Sequence, residues 1–234
     1  MKLRQRPPLF YRTVYDEHAL DDCFHDLIHA RMPDQDKIEV GCLIQYFMLL
    51  KTHGLMELPI DITKHRQGEG PDFTICSGID GLYGVEMTKV TTADYQVWLK
   101  RRMTYRPIRD VNDYMGYRPE QRVSALAGVR VLRKNYKIEN YYASVPEMQQ
   151  CDLVLEEDGD TAMNEGVLME MLQKEISRLR IQRYRKISMI SGSVLYYAIN
   201  TPEAQILYAP EIRPLWLKPH PRGMLQSPPT LSWH

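Results

Sequence analysis

Two carboxylates near the middle of the chain, Asp72 and Glu86, have the type and setting to hold a divalent metal ion. They lie in GPDFTICSGIDGLYGVEMTKV, residues 70–90. Asp72 stands at the mouth of a β-prone run, Phe73–Cys76. Glu86 falls inside a second, Leu82–Val90, flanked by Val85 and Met87. The turn-like SGIDG (Ser77 to Gly81) joins them, so the segment reads as a β-hairpin. A hairpin sets its strands side by side, and the two carboxylates then meet at one edge of the sheet. Mg²⁺ takes hard oxygen ligands of this kind and keeps several waters for hydrolysis. A charged Glu within an apolar strand is costly without a partner or a metal, which singles out Glu86.

PDF at 71–73 followed by GVEMT at 84–88 resembles the PD-(D/E)XK nuclease superfamily, the restriction-endonuclease-like fold. The order helix, β-hairpin, helical stretch, strand is similar too, over roughly residues 36–90 and 164–200. The resemblance implies a Mg²⁺ or Mn²⁺ ion held by Asp72 and Glu86, with the backbone carbonyl of Met87 as a further ligand. It also implies help from an acidic residue on the preceding helix, a place that Glu39 matches. The usual lysine two residues after the Glu is Thr88 here. Side chains alternate along a strand, so Lys89 points away from Glu86 unless a bulge intervenes. Some members carry an E-x-T form and supply the cation from a later helix. Lys174 and Arg180 are the candidates for that role, with Gln173 as a polar alternative.

The second chemical signal is charge. The whole chain is balanced, with 30 basic and 30 acidic residues. From Lys100 to Lys137, however, eleven basic residues face only Asp110, Asp113 and Glu120. Among the eleven are Arg101, Arg102, Arg106, Arg109, Arg130, Arg133 and Lys134, interleaved with Tyr105, Tyr114, Tyr117 and Tyr136. Clustered cations can neutralise phosphates, and tyrosines can stack on exposed bases. This segment is the expected nucleic-acid contact. A solvated helical surface, or pairing with the acidic run Glu147 to Glu165, is the competing account of the same charges.

The elements that must position these groups follow from periodicity. Helices are expected over about Asp16–Arg31 and Asp36–His53, near Glu120–Asn135, and from about Asn164 to Lys186. A helical piece is expected around Ala93–Met103. Apolar strands are expected at Val194–Asn200 and Ile206–Ala209. EEDGD (Glu156 to Asp160) reads as an acidic loop, and the last 25 residues as a proline-rich surface extension. The expected fold is α/β: a restriction-endonuclease-like three-layer core, with a central mixed β-sheet flanked by helices. It forms a single domain over 1–234, with 92–163 as a basic helical insertion and 210–234 as the proline-rich extension.

Several classes fall away. Cys23, Cys42, Cys76 and Cys151 form no C-x-x-C pair, which disfavours a paired-thiolate zinc site or a dense disulfide framework. His25 and His29 are four apart, with no third ligand evident. There is no P-loop and no G-x-S-x-G elbow. The apolar run around Val40 to Leu50 is too short to span a bilayer, and the N-terminus lacks a signal-peptide core. The expected protein is cytoplasmic, with no membrane partner. The leading function is a metal-dependent endonuclease hydrolysing phosphodiester bonds in DNA, with RNA and a homodimer left open. The alternative is an inactive nucleic-acid-binding or protein-interaction module on the same fold. A structural protein whose proline-rich tail docks on a partner is the third reading.

Overall fold

The computed structural model describes residues 8–29, 32–66, 70–90, 119–141, 150–157, 163–181 and 183–208. Among them are eight strands in one mixed sheet and four helices, an α/β architecture. The strands are β1 (Phe10–Val14), β2 (Ile60–Lys64), β3 (Phe73–Ser77), β4 (Gly81–Lys89), β5 (Cys151–Glu157), β6 (Tyr184–Ser191), β7 (Val194–Tyr197) and β8 (Gln205–Tyr208). They lie in the sheet in chain order. β1 to β4 form an antiparallel meander, β4, β5 and β6 run parallel, and β7 and β8 return antiparallel.

The helices are α1 (Glu17–His29), α2 (Asp34–Thr52), α3 (Pro119–Tyr141) and α4 (Glu165–Arg178). α1 and α2 connect β1 to β2 and cover one face, packing Leu20, Leu43, Ile44 and Phe47 over Ile62, Phe73, Val85 and Val154. α3 leads into β5, and α4 joins β5 to β6. Parallel connections that step the same way across a sheet with the usual right hand place their helices on one face. Both accordingly pack on the other side, with Val123, Ala127, Val131, Leu168 and Leu172 over Leu153, Leu155, Ile187 and Met189. The result is helix, sheet, helix in three layers. Where α3 and α4 cross, a Cβ on Gly128 would come within 2.8 Å of Glu175 Cγ. A larger residue there would have to displace the Glu175 side chain.

The expected hairpin is present, and the second helix lies within two residues of its expected bounds at either end. The apolar run Val40–Leu50 belongs to α2 and is buried almost throughout. Its one polar interruption, Gln45, donates from Nε2 to the Gly192 carbonyl at 2.8 Å. No helix among the described residues is long and apolar enough to cross a membrane.

Other expectations change. β1, β2, β5 and β6 have no counterpart in the periodic reading. β5 runs CDLVLEE, buried at every position, and takes in Glu156 and Glu157, which the sequence reading assigned to a loop. A parallel strand covered on both faces loses the alternation that marks a half-exposed one. The last long helix stops at Arg178, and Tyr184–Lys186 begin β6 instead. Of the stretch 92–163, α3 and β5 form part of the central core. The helical piece around Ala93–Met103 and the extension 210–234 lie outside the described residues.

One ion-pair group ties β5, β6 and the β3–β4 turn together. Arg185 donates from Nε and Nη2 to both oxygens of Asp152, each at 3.0 Å, and from Nη1 to Asp80 at 3.0 Å. Its guanidinium lies 4.1 Å from the Tyr83 ring centroid. Asp152 is buried, so losing the arginine leaves a charge without its partner. Arg185→Met is expected to lower unfolding free energy by roughly 2–3 kcal/mol. Urea denaturation followed by circular dichroism, with an unchanged m-value, checks this.

Candidate metal and phosphate site

β4 is buried from Tyr83 to Met87, because α1–α2 cover one face and α3–α4 the other. Val85 and Met87 point into the α1–α2 layer. By alternation Glu86 points into the α3–α4 layer, where it is completely buried. The β3–β4 register pairs Phe73 with Val85. One step further along the same register sets Asp72 opposite Glu86. The backbone fixes this step on both sides: Met87 N–H donates to Asp72 Oδ2 at 2.8 Å, and His65 N–H donates to the Asp72 carbonyl at 3.1 Å. The two carboxylates thus come together as the hairpin reading expected.

The cation between them is Lys134. Its ammonium donates to Asp72 Oδ2 at 3.1 Å and to Glu86 Oε2. Burial works against a charged Lys134, but Glu86 and then Asp72 outweigh it and raise its pKa. Burial, followed by repulsion from Asp72, raises the pKa of Glu86, while Lys134 and Lys137 pull it back. The signal for Lys134 was present in the sequence. Val123, Ala127, Val131 and Ile138 form the buried stripe of α3, and Lys134 falls on the same stripe. A lysine on a core-facing stripe needs a buried anion.

The other proposed cations lie elsewhere. Lys89 is on the opposite face of β4 and pairs with Glu156 Oε1 at 3.5 Å. Lys174 is exposed on α4, as is Gln173. Arg180 is exposed just past the helix end with φ 50°. Thr88 is half-buried on the Glu86 face, two residues along. Glu39 is a correction: it sits on the α1–α2 side and accepts from Lys64 Nζ at 2.5 Å and Gln35 Nε2 at 3.1 Å. Lys64 is buried, also pairs with Asp36 at 3.2 Å, and lies over the Phe73 ring. Glu39 is therefore a counter-ion for Lys64, with the sheet between it and Glu86. Sequence periodicity located its helix but could not say which face of the sheet that helix covers.

Met87 contributes its N–H to Asp72, and its side chain fills the apolar cluster. Arg133 is exposed and Arg130 half-buried on α3, while Arg101, Arg102, Arg106 and Arg109 lie outside the described residues. No family model, curated protein or solved structure matches the chain.

The donor set suits Mg²⁺ or Mn²⁺. Such ions are commonly held by one or two carboxylates plus waters and substrate oxygens. Glu86 Oε1 is buried with no hydrogen-bond partner among the described residues, and Asp72 retains 23% side-chain exposure. The Tyr184 hydroxyl, whose pKa is raised by burial and then by Cys151, Glu86 and Asp72, is likewise buried and unpartnered. No group of three or more His, Cys, Asp or Glu is assembled for metal binding among the described residues. Water and phosphate oxygens would complete the shell.

The pKa directions set a pH test. Between the ordinary Glu value near 4.5 and its raised folded value, the folded chain holds more proton than the unfolded one. The Glu86 contribution to stability therefore declines as pH rises through that window. Lys134 acts in the same direction at the alkaline end: its contribution is present below the ordinary lysine value and lost above its raised folded value. Lys134→Met removes the nearest counter-charge and pushes Glu86 further up. Its destabilisation is expected to be smallest near pH 4.5 and to grow to roughly 3 kcal/mol by about pH 8. Adding Glu86→Gln should recover part of that loss at the higher pH, as read from denaturation midpoints.

Proposed function

We propose that this chain is a metal-dependent nuclease of the PD-(D/E)XK type, in the E-x-T form, hydrolysing phosphodiester bonds in DNA. The observation that carries the reading is the convergence of Asp72, Glu86 and a lysine from a later helix at one point of the sheet. The resemblance spans roughly residues 36–90 and 164–200; within this reading, the helix and strand that follow the hairpin are instead α3 and β5, with α4 and β6 after them. Lys134 takes the part of the relocated cation, in place of Lys174 or Arg180.

The chain's own groups divide the work. Asp72, oriented by the Met87 N–H, and Glu86, with Oε1 open, would hold the ion. When bound, that ion lowers the pKa of a coordinated water and offsets charge on the phosphate. Lys134, already held charged beside both carboxylates, supplies a fixed positive charge where negative charge develops on the scissile phosphate. Arg130 and Lys137 lie one turn either side of Lys134 on α3, and with Arg133 they offer cations to the flanking phosphates. Glu86 must be ionised to bind the metal, and its pKa is raised. Activity should therefore rise with pH through a limb above the usual carboxylate range.

One observation favours the rival reading, a catalytically silent binding module. Lys134 pairs with both carboxylates where a metal would otherwise supply the positive charge.

Cleavage and metal binding separate the two readings. With Mg²⁺ or Mn²⁺ the chain should convert supercoiled plasmid to nicked and linear forms. Asp72→Ala, Glu86→Ala and Lys134→Ala should each slow this by about a hundredfold or more. Lys89→Ala, Lys174→Ala and Arg180→Ala should stay within about twofold of wild type. Calorimetric titration should show Mn²⁺ binding that is lost in the Asp72→Ala/Glu86→Ala variant. An intact plasmid together with no Mn²⁺ binding, while DNA is still bound in EDTA, would establish the silent module.

A further inference from the structure

The inner side of α3 is accounted for by the sheet and Lys134, but its outer side carries a second apolar stripe. Ala125, Val129, Leu132 and Tyr136 recur at intervals of four, three and four, the spacing of a coiled-coil seam. All four are exposed: Val129 by 49%, Leu132 by 47% and Tyr136 by 61%. One seam position before Ala125 is Arg122, and one after Tyr136 is Glu139. The stripe therefore reads Arg, Ala, Val, Leu, Tyr, Glu over about 27 Å of helix, at 1.5 Å per residue.

This order is its own complement when reversed. A two-fold axis perpendicular to α3, midway between Val129 and Leu132, sets Val129 against Leu132 of the partner subunit. It sets Ala125, the smallest member, against the largest, Tyr136 of the partner subunit. It also sets Arg122 against Glu139 of the partner subunit, opposite charges closing each end. An isologous interface requires that every contact i to j be matched by j to i, and that each such pair be compatible in size and charge. A stripe that served an unrelated helix would have no reason to meet this condition at all three pairs. We propose that the outer face of α3 is a self-association surface, through which two copies of this chain pair with α3 antiparallel to its counterpart. The proposal does not depend on the nuclease reading, since Lys134 and the carboxylates lie on the other side of the helix.

A single helix pair is a small interface, so the association should be reversible. Sedimentation of the full chain over about 1–100 µM should show the mass rising from 27.5 kDa towards twice that value. Leu132→Glu should weaken association by about tenfold or more with melting temperature unchanged, because the side chain is exposed in the single copy. Arg122→Glu alone should weaken it, and Arg122→Glu combined with Glu139→Arg should restore it. A monomer mass at every concentration overturns the proposal. So does a dimer indifferent to Leu132→Glu. A Leu132→Glu variant that stays monomeric like wild type but melts lower would show that a segment of the same chain covers the stripe.

Discussion

Burying a carboxylate in the middle of a sheet constrains everything packed around it. Glu86 is buried on β4, a strand closed on both faces by helices, and an isolated charge there would cost several kcal/mol. The Lys134 ammonium offsets that cost, and the neighbouring Asp72 adds to it. The register of β3 against β4 brings Asp72 alongside, the Met87 N–H holds Asp72 in place, and the Lys134 ammonium binds both carboxylates. Because Asp72 repels Glu86, losing the lysine would push Glu86 towards its protonated form. α3 is therefore held over β4 by electrostatics as well as by Val123, Ala127, Val131 and Ile138.

The topology makes this arrangement available. Parallel pairing of β4 with β5 requires a crossover, and the one described here brings α3 onto the Glu86 face. The same feature that buries Glu86 delivers its counter-charge. On the other face a parallel arrangement is built from different elements: Lys64, buried against Phe73, is neutralised by Glu39 and Asp36 of α2. The two groups differ in what they leave over. Around Lys64 the carboxylates belong to a half-exposed helix surface. Around Lys134 they leave Glu86 Oε1 buried and unpartnered, an oxygen suited to a metal or to water.

α3 thus has three working sides. One faces the sheet and carries Lys134, and one passes α4 closely at Gly128. The outer one displays the apolar stripe from Ala125 to Tyr136. A surface helix that packs only on the core needs one such stripe and is polar elsewhere.

The sequence by itself determined the hairpin, since the turn SGIDG and the β-prone runs on either side depend on local chemistry. It also determined that Asp72 and Glu86 belong together, because a hairpin's register is a local property and a charge in an apolar strand advertises itself. It did not determine which cation serves them. Lys134 sits in a run of eleven basic residues and was indistinguishable by charge from its neighbours. Only its place on the buried stripe set it apart, and that place has meaning only once a facing anion is known. Glu39 was assigned to the wrong company for the related reason that helical periodicity reveals a buried side but not which face of a sheet it covers. β5 was missed because a strand buried on both faces lacks alternation and borrows acidic residues at its end. Tertiary structure decided these matters through the crossover that put α3 and α4 on one face of the sheet, and Lys134 above Glu86.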